Sequence, residues 1–482
     1  MVDLQSTNRV KLSKVRESTF GVTPANPAFK TRRATSHGLG INPQTVTSNE
    51  IRADRQVPDL ILVSYQSGGT SGGEASFHVM DDDLEEAVQG TWSATPSRDN
   101  AGTADSVITQ VTAASHTFTH LTGAAFVAGQ LVLCSGFGQA ANNGVFKCTT
   151  GGTTTSIYAG ATLADEAAPA ANARMKAVGF QGASGDLAIS GSTLTSTTLD
   201  FTTLGLSPGM WVKLAGFATA ADNDFVRIAS IAAHTLTFDR VPASWANDAG
   251  TSVVVSAYSG DFLVNGSTKR SNTFERQYLD QSPVGYELLT GQTLDKLSLT
   301  IPTANIVTFS EDWLGSGGSI ANSRVAGATD IAAPTNDVLN SSTDIGRIGF
   351  SGANVIGPNF VQQATLDIAN NLRRQQAVGH VEAVGIGNGE FTVTGTLTTY
   401  FGDKTGLDKL IANTLTSFDC RIGGADVNSP CYVLDLPSIK LSSGSPGVSG
   451  KNADVMLPFG YQAIADATLG YTIGITRFEY VA

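Results

Sequence analysis

Three consecutive carboxylates, Asp81, Asp82 and Asp83, are the first residues in the sequence whose types could do chemistry, since oxygen ligands of this kind bind Ca²⁺ or Mg²⁺. Leu84 and Val88 follow at a spacing of i, i+4, which places the triplet at the start of a short helix. Consecutive side chains on a helix diverge and do not converge on one ion. Carboxylates at a helix N-terminus instead cap N–H groups and face the positive end of the dipole. We therefore expect the triplet to be a helix cap.

A serine lies between two glycines in the pattern Gly205-x-Ser207-x-Gly209, which matches the nucleophile elbow of many hydrolases. An elbow requires a strand before the serine and a helix after it. Here Pro208 follows the serine, and the next residues, MWVKLAGF, have the pattern of a strand. We expect a turn at Ser207 and no nucleophile.

The other signals for chemistry are weaker. His116 and His120 share one face of a predicted strand in a Thr-rich stretch, and we expect no metal between them. The loop GGTSGG at Gly68 lacks the Lys-Ser or Lys-Thr of a P-loop, and GIGNGE at Gly385 leads into a strand rather than a helix. The sequence therefore predicts no catalytic, cofactor or metal site, and we expect no enzyme.

The composition predicts a mainly β protein. The chain has 482 residues, with 52 glycines and only 15% charged residues, and β-branched residues favour strands while glycine favours turns. A net charge of −12 argues against a surface that binds nucleic acid, because such a surface needs clustered Lys and Arg. No window approaches the ~18 apolar residues of a membrane span, so we expect no membrane partner.

The four cysteines are Cys134, Cys148, Cys420 and Cys431. They have neither zinc-type spacing nor the density of a disulfide scaffold. Each pair could lie across a hairpin, and buried free thiols are the alternative that we favour.

Residues 103–260 contain an internal repeat. Gly129–Cys148 aligns without gaps with Gly209–Ile228 at an offset of 80 residues, and seven of the twenty positions are identical. A repeat of this length in a Thr-, Ala- and Gly-rich stretch is typical of tandem small β-sandwiches or barrels. We expect two all-β modules that project outward from the rest of the fold.

The stretch Ser48–Trp92 organises the remainder of the chain. It contains an extended segment, a glycine-rich turn, a strand predicted from Glu74 to Met80 and the short helix. A weaker version recurs from Leu366 to Asn413, and Val455–Ile464 can be laid against Ile306–Gly315. The domains that this duplication predicts are 1–102 with 261–315 as core copy one, 103–180 and 181–260 as inserted modules, 316–344 as a linker, and 345–482 as core copy two.

Several segments resemble the major tail tube proteins of long-tailed bacteriophages: NEIRADRQVPDLI, GGEASFHV, DDDLEEAVQGTW, TIPTANIVTFSEDWLGS and ADVMLPFGYQAIAD. The resemblance covers the core copies and not the inserts. It implies a duplicated tail-tube β-sandwich or barrel core with short flanking helices, whose sheets join those of neighbouring subunits around a DNA channel. Ordinary family members have one core copy and form hexameric rings, so the duplication implies trimeric rings with pseudo-sixfold symmetry. Without a real duplication, hexamers are expected.

The resemblance also implies partners and a location. The protein would assemble with itself in the bacterial host cytoplasm, join tail terminator, tail tip and tape-measure proteins in the virion, and let DNA pass without specific binding. Stacked rings need extensions, and we expect these from the segments before each glycine-rich turn and from an N-terminal arm within residues 1–47. The candidate contacts between rings are Glu50, Arg52, Asp54, Arg55, Leu60, Leu62, Arg373 and Arg374.

Two other functions are weighed against this one. The first is another virion or surface structural protein, such as a capsid decoration protein or an adhesin. The second is a glycan-degrading tail enzyme, which would need a carboxylate pair in an aromatic cleft. The sequence shows no such pair.

Overall fold

The computed structural model shows a chain built almost entirely of β-strands. It describes residues 4–101, 107–355, 357–423, 429–448 and 450–482. These ranges contain two short α-helices, and neither is long and apolar enough to cross a membrane. The predicted fold class is confirmed: the protein is mainly β, with a duplicated core, short flanking helices and an all-β insertion.

The elements are numbered in chain order. Before the insertion come β1 (Val10–Arg16), β2 (Ala28–Thr31), β3 (Ser36–His37), β4 (Gly40–Thr47), β5 (Leu60–Glu74) and α1 (Asp81–Ala87). The insertion contains β6 (Ser97–Asp99), β7 (Ile108–Thr112), β8 (Thr117–His120), β9 (Gln130–Ser135), β10 (Gly144–Lys147), β11 (Thr150–Gly151), β12 (Thr155–Ile157), β13 (Glu166–Ala167), β14 (Arg174–Gln181), β15 (Ala188–Ser190), β16 (Thr193–Thr195), β17 (Trp211–Ala215), β18 (Phe225–Ala232), β19 (Thr235–Arg240) and β20 (Ser256–Tyr258). After the insertion come β21 (Asp261–Val264) and then the remaining strands of the first sandwich, β22 (Asn272–Tyr278), β23 (Gly285–Ile301), β24 (Thr308–Gly315), β25 (Gly317–Ala321) and β26 (Thr329–Ile331). The second comprises β27 (Ile345–Phe350), β28 (Ala353–Asn354), β29 (Val361–Ala369), β30 (Arg373–Gln375), β31 (Gly385–Gly387), β32 (Thr392–Tyr400), α2 (Thr405–Ile411), β33 (Thr416–Gly423), β34 (Cys431–Gly444), β35 (Met456–Ala463) and β36 (Gly474–Phe478).

The two sandwiches, called copy 1 and copy 2, have the same strand pairing. Copy 1 runs β1–β22–β23–β24–β5–β4, all antiparallel, and β25 pairs with β23. Copy 2 runs β27–β33–β34–β35–β32–β29, and β36 pairs with β34. In both, the helix lies between the same two strands in the sequence. The matching strand pairing shows that copy 1 and copy 2 have the same fold.

The register of the duplication differs by one residue from the sequence alignment. Trp313 and Tyr461 occupy the same place, each between a leucine of the long strand and a glycine of the next strand. Both are buried. Val455 therefore corresponds to Val307 and not, as the alignment predicted, to Ile306. A slip of one residue exchanges the two faces of a strand, so the buried aromatic residues decide the register.

One continuous sheet joins the copies. Residues 296–301 of β23 pair with residues 364–369 of β29, so the strands follow the order β34–β35–β32–β29–β23–β24–β5–β4. Leu297, Leu299 and Ile301 are buried on one face, as their alternation predicts, and form part of the main core. The other face of this eight-stranded sheet is open.

The glycine-rich segment at residues 68–73 is part of a strand and not the predicted turn. It forms the end of β5 and pairs with β24. A Cβ at Gly68 would lie 2.3 Å from the carbonyl oxygen of Trp313, and one at Gly73 would lie 2.6 Å from the ring of Phe309. The glycines therefore allow close packing of backbone and aromatic rings. The predicted strand from Glu74 to Met80 is mostly a turn that leads into α1.

Two segments expected outside the core belong to copy 1. Residues 10–16, within the predicted N-terminal arm, form β1 and pair with β22, and Phe29 of the same region is fully buried. The stretch 316–344, predicted as a linker, contains β25 and β26, which pair with β23 and β2. The polar composition of both segments did not indicate these strands, because the strands are short and pair with distant parts of the chain.

The insertion forms one joined unit rather than two separate modules. Its larger sheet runs β10–β9–β14–β20–β17–β18–β19–β16–β15, and a second sheet, β11–β12–β8–β7–β13, closes the first module. The joint is the pairing of β14 with β20 and of β20 with β17.

The sequence repeat corresponds to a repeated turn. Asn143 Oδ1 accepts a hydrogen bond from Phe137 N at 2.9 Å and its Nδ2 donates to Phe137 O at 3.0 Å. Asn223 makes the same two bonds with Phe217, at 2.8 and 2.9 Å. Each asparagine thereby fixes a glycine-containing loop that precedes a short 3₁₀ turn. The identical Asn and Phe residues of the two repeats therefore make the same turn.

Candidate assembly surfaces

The acidic triplet opens α1, but its carboxylates do not cap the helix. Met80 occupies the N-cap position, and its side chain makes no capping hydrogen bond. The carboxylates instead bind cations: Asp83 Oδ1 lies 2.5 Å from Lys14 Nζ, and Asp82 Oδ2 lies 2.7 Å from Lys30 Nζ. The predicted role as a helix cap is therefore wrong. β1 and β2 deliver these cations from earlier in the chain, which local sequence does not reveal.

Asp81 connects α1 to copy 2. Its Oδ1 accepts a hydrogen bond from the Tyr432 hydroxyl at 2.5 Å, and its Oδ2 lies 2.5 Å from Arg477 Nη1. His78 Nδ1 lies 2.6 Å from the same Oδ2. Tyr432 and Arg477 belong to β34 and β36. Most of the contacts of this carboxylate thus cross between the two copies.

The network continues into the insertion. Asp261 binds Arg477 and also Lys176 Nζ, the latter at 2.5 Å. Lys176 is on β14, and its Nζ lies 3.2 Å from Glu479 Oε1. Glu479 Oε2 returns to His78 Nε2 at 3.1 Å. The network therefore holds copy 1, the insertion and copy 2 together at one point.

The pKa shifts in this network follow from burial and pairing. Burial alone would raise the pKa of Asp81, but the hydrogen bond with His78 and the charge of Arg477 outweigh it and lower that pKa. Burial would likewise raise the pKa of Glu479, yet the His78 hydrogen bond and Lys176 hold it far below its usual range. Burial would lower the pKa of His78, and its hydrogen bonds to the two carboxylates raise it instead. The pairs are stabilised in their charged forms.

The insertion also packs on the outer face of copy 2. Trp211 and Phe225 form an apolar cluster with Val433 and Phe478. Because alternate residues of β34 point to opposite faces, this strand is covered by the core on one side and by the insertion on the other. An ion pair of 2.6 Å between Arg227 Nη1 and Asp435 Oδ2 reinforces the contact. Burial raises the pKa of Asp435 to about 6 in spite of Arg227.

The eight-stranded sheet ends in two strand edges that pair with no other described strand. One is the outer edge of β3 and β4 in copy 1, and the other is the outer edge of residues 440–444 in copy 2. A cavity of about 390 Å³ lies beside the first edge, lined by Thr7, Val10, His37 and Arg276 among others. Arg276 donates to Leu39 O at 2.7 Å and so covers part of this edge. Exposed strand edges of this kind favour pairing with another chain.

The hairpin of β4 and β5 forms a projecting arm, residues 40–68, with the loop 48–59 at its tip. Leu60 and Leu62, two of the predicted contacts, are 62% and 40% exposed. Glu50, Arg52, Asp54 and Arg55 are exposed at the tip, where Arg52 and Asp54 pair with each other at 2.6 Å. Further apolar residues are exposed on the arm, namely Val46, Ile51, Val57, Ile61 and Val63.

The corresponding hairpin of copy 2 folds back on copy 1. Arg374 donates to Ser67 O at 2.6 Å and to Gly315 O at 3.2 Å, so its guanidinium is used within the chain. Arg373 donates to Asn388 O at 2.7 Å and is exposed. Six of the eight predicted contacts between rings are therefore exposed on the copy 1 arm. Arg374 is no longer proposed as a contact between rings, because it binds backbone carbonyls of its own chain.

The open face of the eight-stranded sheet consists mainly of hydroxyl side chains. Thr365 and Thr396 Oγ1 atoms are 2.9 Å apart across neighbouring strands. Lys296 Nζ lies 3.1 Å from Asp367 Oδ1, so this cation is neutralised on the face itself. The residues on this face include Ser298, Thr300, Thr308, Ser310, Asp312, Thr394 and Thr398.

Comparison with known families agrees with this architecture. The sequence model of the family described as "Phage tail tube protein" matches residues 7–207 and 213–463, which is most of the chain. This chain belongs to the phage tail tube protein family. It is therefore a structural component of the virion tail that assembles into a tube.

The match to the tail tube family extends beyond the core. The likeness was expected to leave out the inserted modules, but the matched segments run through nearly all of residues 103–260. No curated protein matches the chain.

The residues that suggested enzyme chemistry have structural roles in this tube family member. Ser207 lies in a turn before β17, and its N–H is 3.0 Å from the sulfur of Met210. His120 Nδ1 accepts a hydrogen bond from Arg98 Nε at 3.0 Å, while His116 Nδ1 contacts Ala161 O at 2.8 Å. Burial and the charge of Arg98 lower the pKa of His120 to about 4.

The four cysteines are free and buried. Burial raises the pKa of Cys148 to about 11 and that of Cys431 to about 12. The thiols are therefore protonated and unreactive in the folded protein.

Proposed function

We propose that three chains form a closed ring, and that stacked rings form the tube through which DNA is delivered to the host. In this ring each chain supplies two core copies, which gives pseudo-sixfold symmetry. The role is structural and not catalytic.

The pairing of β23 with β29 is the observation that carries this proposal. It joins copy 1 to copy 2 within one chain. By the equivalence of the copies, residues 296–301 of β23 correspond to residues 443–448, a segment that begins with the end of β34, and β3 with β4 corresponds to β29. These are the two outer edges of the eight-stranded sheet, and neither pairs with another described strand. Repeating the internal pairing between chains would satisfy both edges and close a ring.

The open face of the eight-stranded sheet is the proposed wall of the channel. The outer face of copy 2 is covered by the insertion, which leaves this face as the one available to a lumen. Its residues are mainly hydroxyls, and its two lysines, Lys296, which is paired with Asp367, and Lys440, offer few cations to phosphate. Since bound phosphate would hold DNA in place, a wall of this kind favours passage.

The insertion lies on the side of copy 2 opposite the open face, through the cluster that contains Trp211 and Phe478. In the proposed ring this places it on the outside of the tube. The predicted division into domains is proposed with three changes: residues 317–340 belong to copy 1, the two inserted modules form one joined unit, and β21, which pairs with β36, belongs to copy 2.

Contacts between rings are assigned to the copy 1 arm, where exposed Leu60 and Leu62 lie on a projecting hairpin. Tail terminator, tail tip and tape-measure proteins are the further proposed partners, and assembly is proposed to occur in the host cytoplasm. A filter-binding measurement with duplex DNA in low salt tests the passive channel: we expect no retention, and tight binding would contradict it.

Electron microscopy of the purified, assembled protein tests the ring. We expect rings with three chains, six similar inner lobes and an open lumen. Mass measurement by analytical ultracentrifugation of single rings distinguishes three chains from six. Closed rings of six chains, or assemblies without a lumen, would contradict the proposal.

A further inference from the structure

Copy 1 is closed at one end by the segment that leads into copy 2. Leu339 N donates to Ala75 O at 2.8 Å, and Val307 N donates to Leu339 O at 2.9 Å. Leu339 is 7% exposed and packs in the main core. Leu339 lies between the chain after β5, at Ala75, and the chain before β24, at Val307. Its side chain fills the space between them.

The same end of copy 2 is an open apolar groove. The groove has a volume of about 160 Å³, and its lining includes Phe350, Val361, Leu397 and Phe459. The corresponding space of copy 1, between β1, β2, α1 and residues 333–334, is only about 20 Å³. In copy 1 the residues just before Leu339, Ala333 and Pro334, help to close this space, whereas no segment outside copy 2 lines the groove among the described residues.

The backbone around this groove is arranged as in copy 1. Phe401 N donates to Val455 O at 3.0 Å, just as Ala75 N donates to Val307 O at 2.8 Å. In copy 1 the Ala75 carbonyl and the Val307 N–H bind Leu339. The equivalent groups of copy 2, Phe401 O and Val455 N, make no hydrogen bond to another described residue.

Leu4 matches the missing residue in spacing and exposure. It precedes Val10, the first residue of β1, by six positions, and Leu339 precedes Ile345, the first residue of β27, by the same number. The two segments read LQSTNRV and LNSSTDI. Leu4 is 87% exposed, although its neighbour Ser6 is fixed by a hydrogen bond of 2.9 Å from its N–H to Asp280 Oδ2.

Leu4 also lies close in sequence to residues at the free edge of copy 1. Thr7 and Val10, which follow it, line the cavity beside the free edge of β3 and β4 together with His37. In the proposed ring this edge meets copy 2 of the neighbouring chain. We infer that Leu4 of one chain inserts into the groove of copy 2 of its neighbour, donating its N–H to Phe401 O and accepting from Val455 N. The inference rests on the proposed ring.

A cysteine crosslink tests this contact. Asn340 lies opposite Ile306 in an antiparallel bridge, and the equivalent pair is Gln5 and Asp454. Opposed side chains of this kind are close enough for a disulfide. We expect Gln5→Cys with Asp454→Cys, after assembly and mild oxidation, to give a covalent trimer on non-reducing gels. The native cysteines are buried, and each single variant should stay monomeric on the gel.

The outcomes separate the inference from the ring itself. Trimeric rings in the microscope without crosslinked trimers, or with a crosslink inside one chain, would overturn the inference and leave the ring intact. Absence of rings in the unmodified protein would overturn the ring. As a second variant, Leu4→Asp should lose ring closure while its thermal unfolding as a monomer is unchanged, because Leu4 is exposed there. Leu121→Asp, 42% exposed on the insertion, is the matched control and should assemble normally.

Discussion

Arg477 Nη1 lies 2.5 Å from Asp81 Oδ2, so the last strand of copy 2 is ion-paired to the first helix of copy 1. The same guanidinium binds Asp261 and lies over the ring of Trp92, 4.5 Å from its centroid. Residues separated by almost the whole length of the sequence thus form one junction. The first two predictions concern this junction.

Arg477→Met should destabilise the folded chain strongly. The substitution leaves Asp81 and Asp261 buried without their shared cation, and breaking such a pair costs about 3–5 kcal/mol. Urea unfolding of the monomer at neutral pH measures the difference. Arg52→Met removes the exposed pair with Asp54, which solvent screens, and should leave stability almost unchanged. Equal effects of the two variants would show that the junction is not a stabilising element.

His78 should make the junction depend on pH. The pKa of this histidine is raised above its ordinary value of 6.5 by its bonds to Asp81 and Glu479, with Arg477 and Lys176 as the nearest cations of the network. A raised pKa means that protonated His78 stabilises the folded state below the unfolded pKa, and that this contribution is lost as pH rises through the folded pKa.

The measurement compares the native protein with His78→Gln. The free-energy difference between them should be largest near about pH 5.5 and smaller near about pH 9. Asp81, Glu479 and Asp261 have lowered pKa values and lose their stabilising effect only at lower pH. A difference that does not vary with pH would contradict the role of His78.

Asn143 and Asn223 should be equally important to their two turns. Replacing either with Ala removes the paired bonds to the backbone of Phe137 or Phe217, at a cost of about 0.5–1.5 kcal/mol for each hydrogen bond lost. Thermal unfolding compares the two variants with Asn172→Ala, an exposed asparagine that should change stability by less than about 0.5 kcal/mol. If only one of the two substitutions lowers the unfolding temperature, the two turns are not structurally equivalent.

The copy 1 arm should control stacking of rings. Leu60→Asp with Leu62→Asp places charges on an exposed apolar surface, so the monomer should unfold at the same temperature. Rings should form but not extend into tubes. Negative-stain microscopy and sedimentation measure tube length, with Leu121→Asp as the control. Tubes of normal length would assign stacking to another surface.

Much of the fold could be predicted from the sequence. The alternation of Leu297, Leu299 and Ile301 identified a core strand, and Leu84 with Val88 identified the helix after the acidic triplet. The repeat around Asn143 and Asn223 was visible as identity at a fixed offset. These signals are local, since periodicity and short repeats depend on residues close in sequence.

The tertiary structure decided the rest. Local sequence predicted a helix cap at the triplet because its cations, Lys14 and Lys30, are supplied by strands far away in the sequence. Local sequence predicted a turn at the glycines of residues 68–73 because the backbone that packs against them belongs to β24. Residues pair when they are close in space, and their separation in the sequence does not reveal which residues those are. The sequence by itself determined a duplicated β protein of the tail tube kind, whereas only the folded chain showed which edges, groove and leucine are left for another copy.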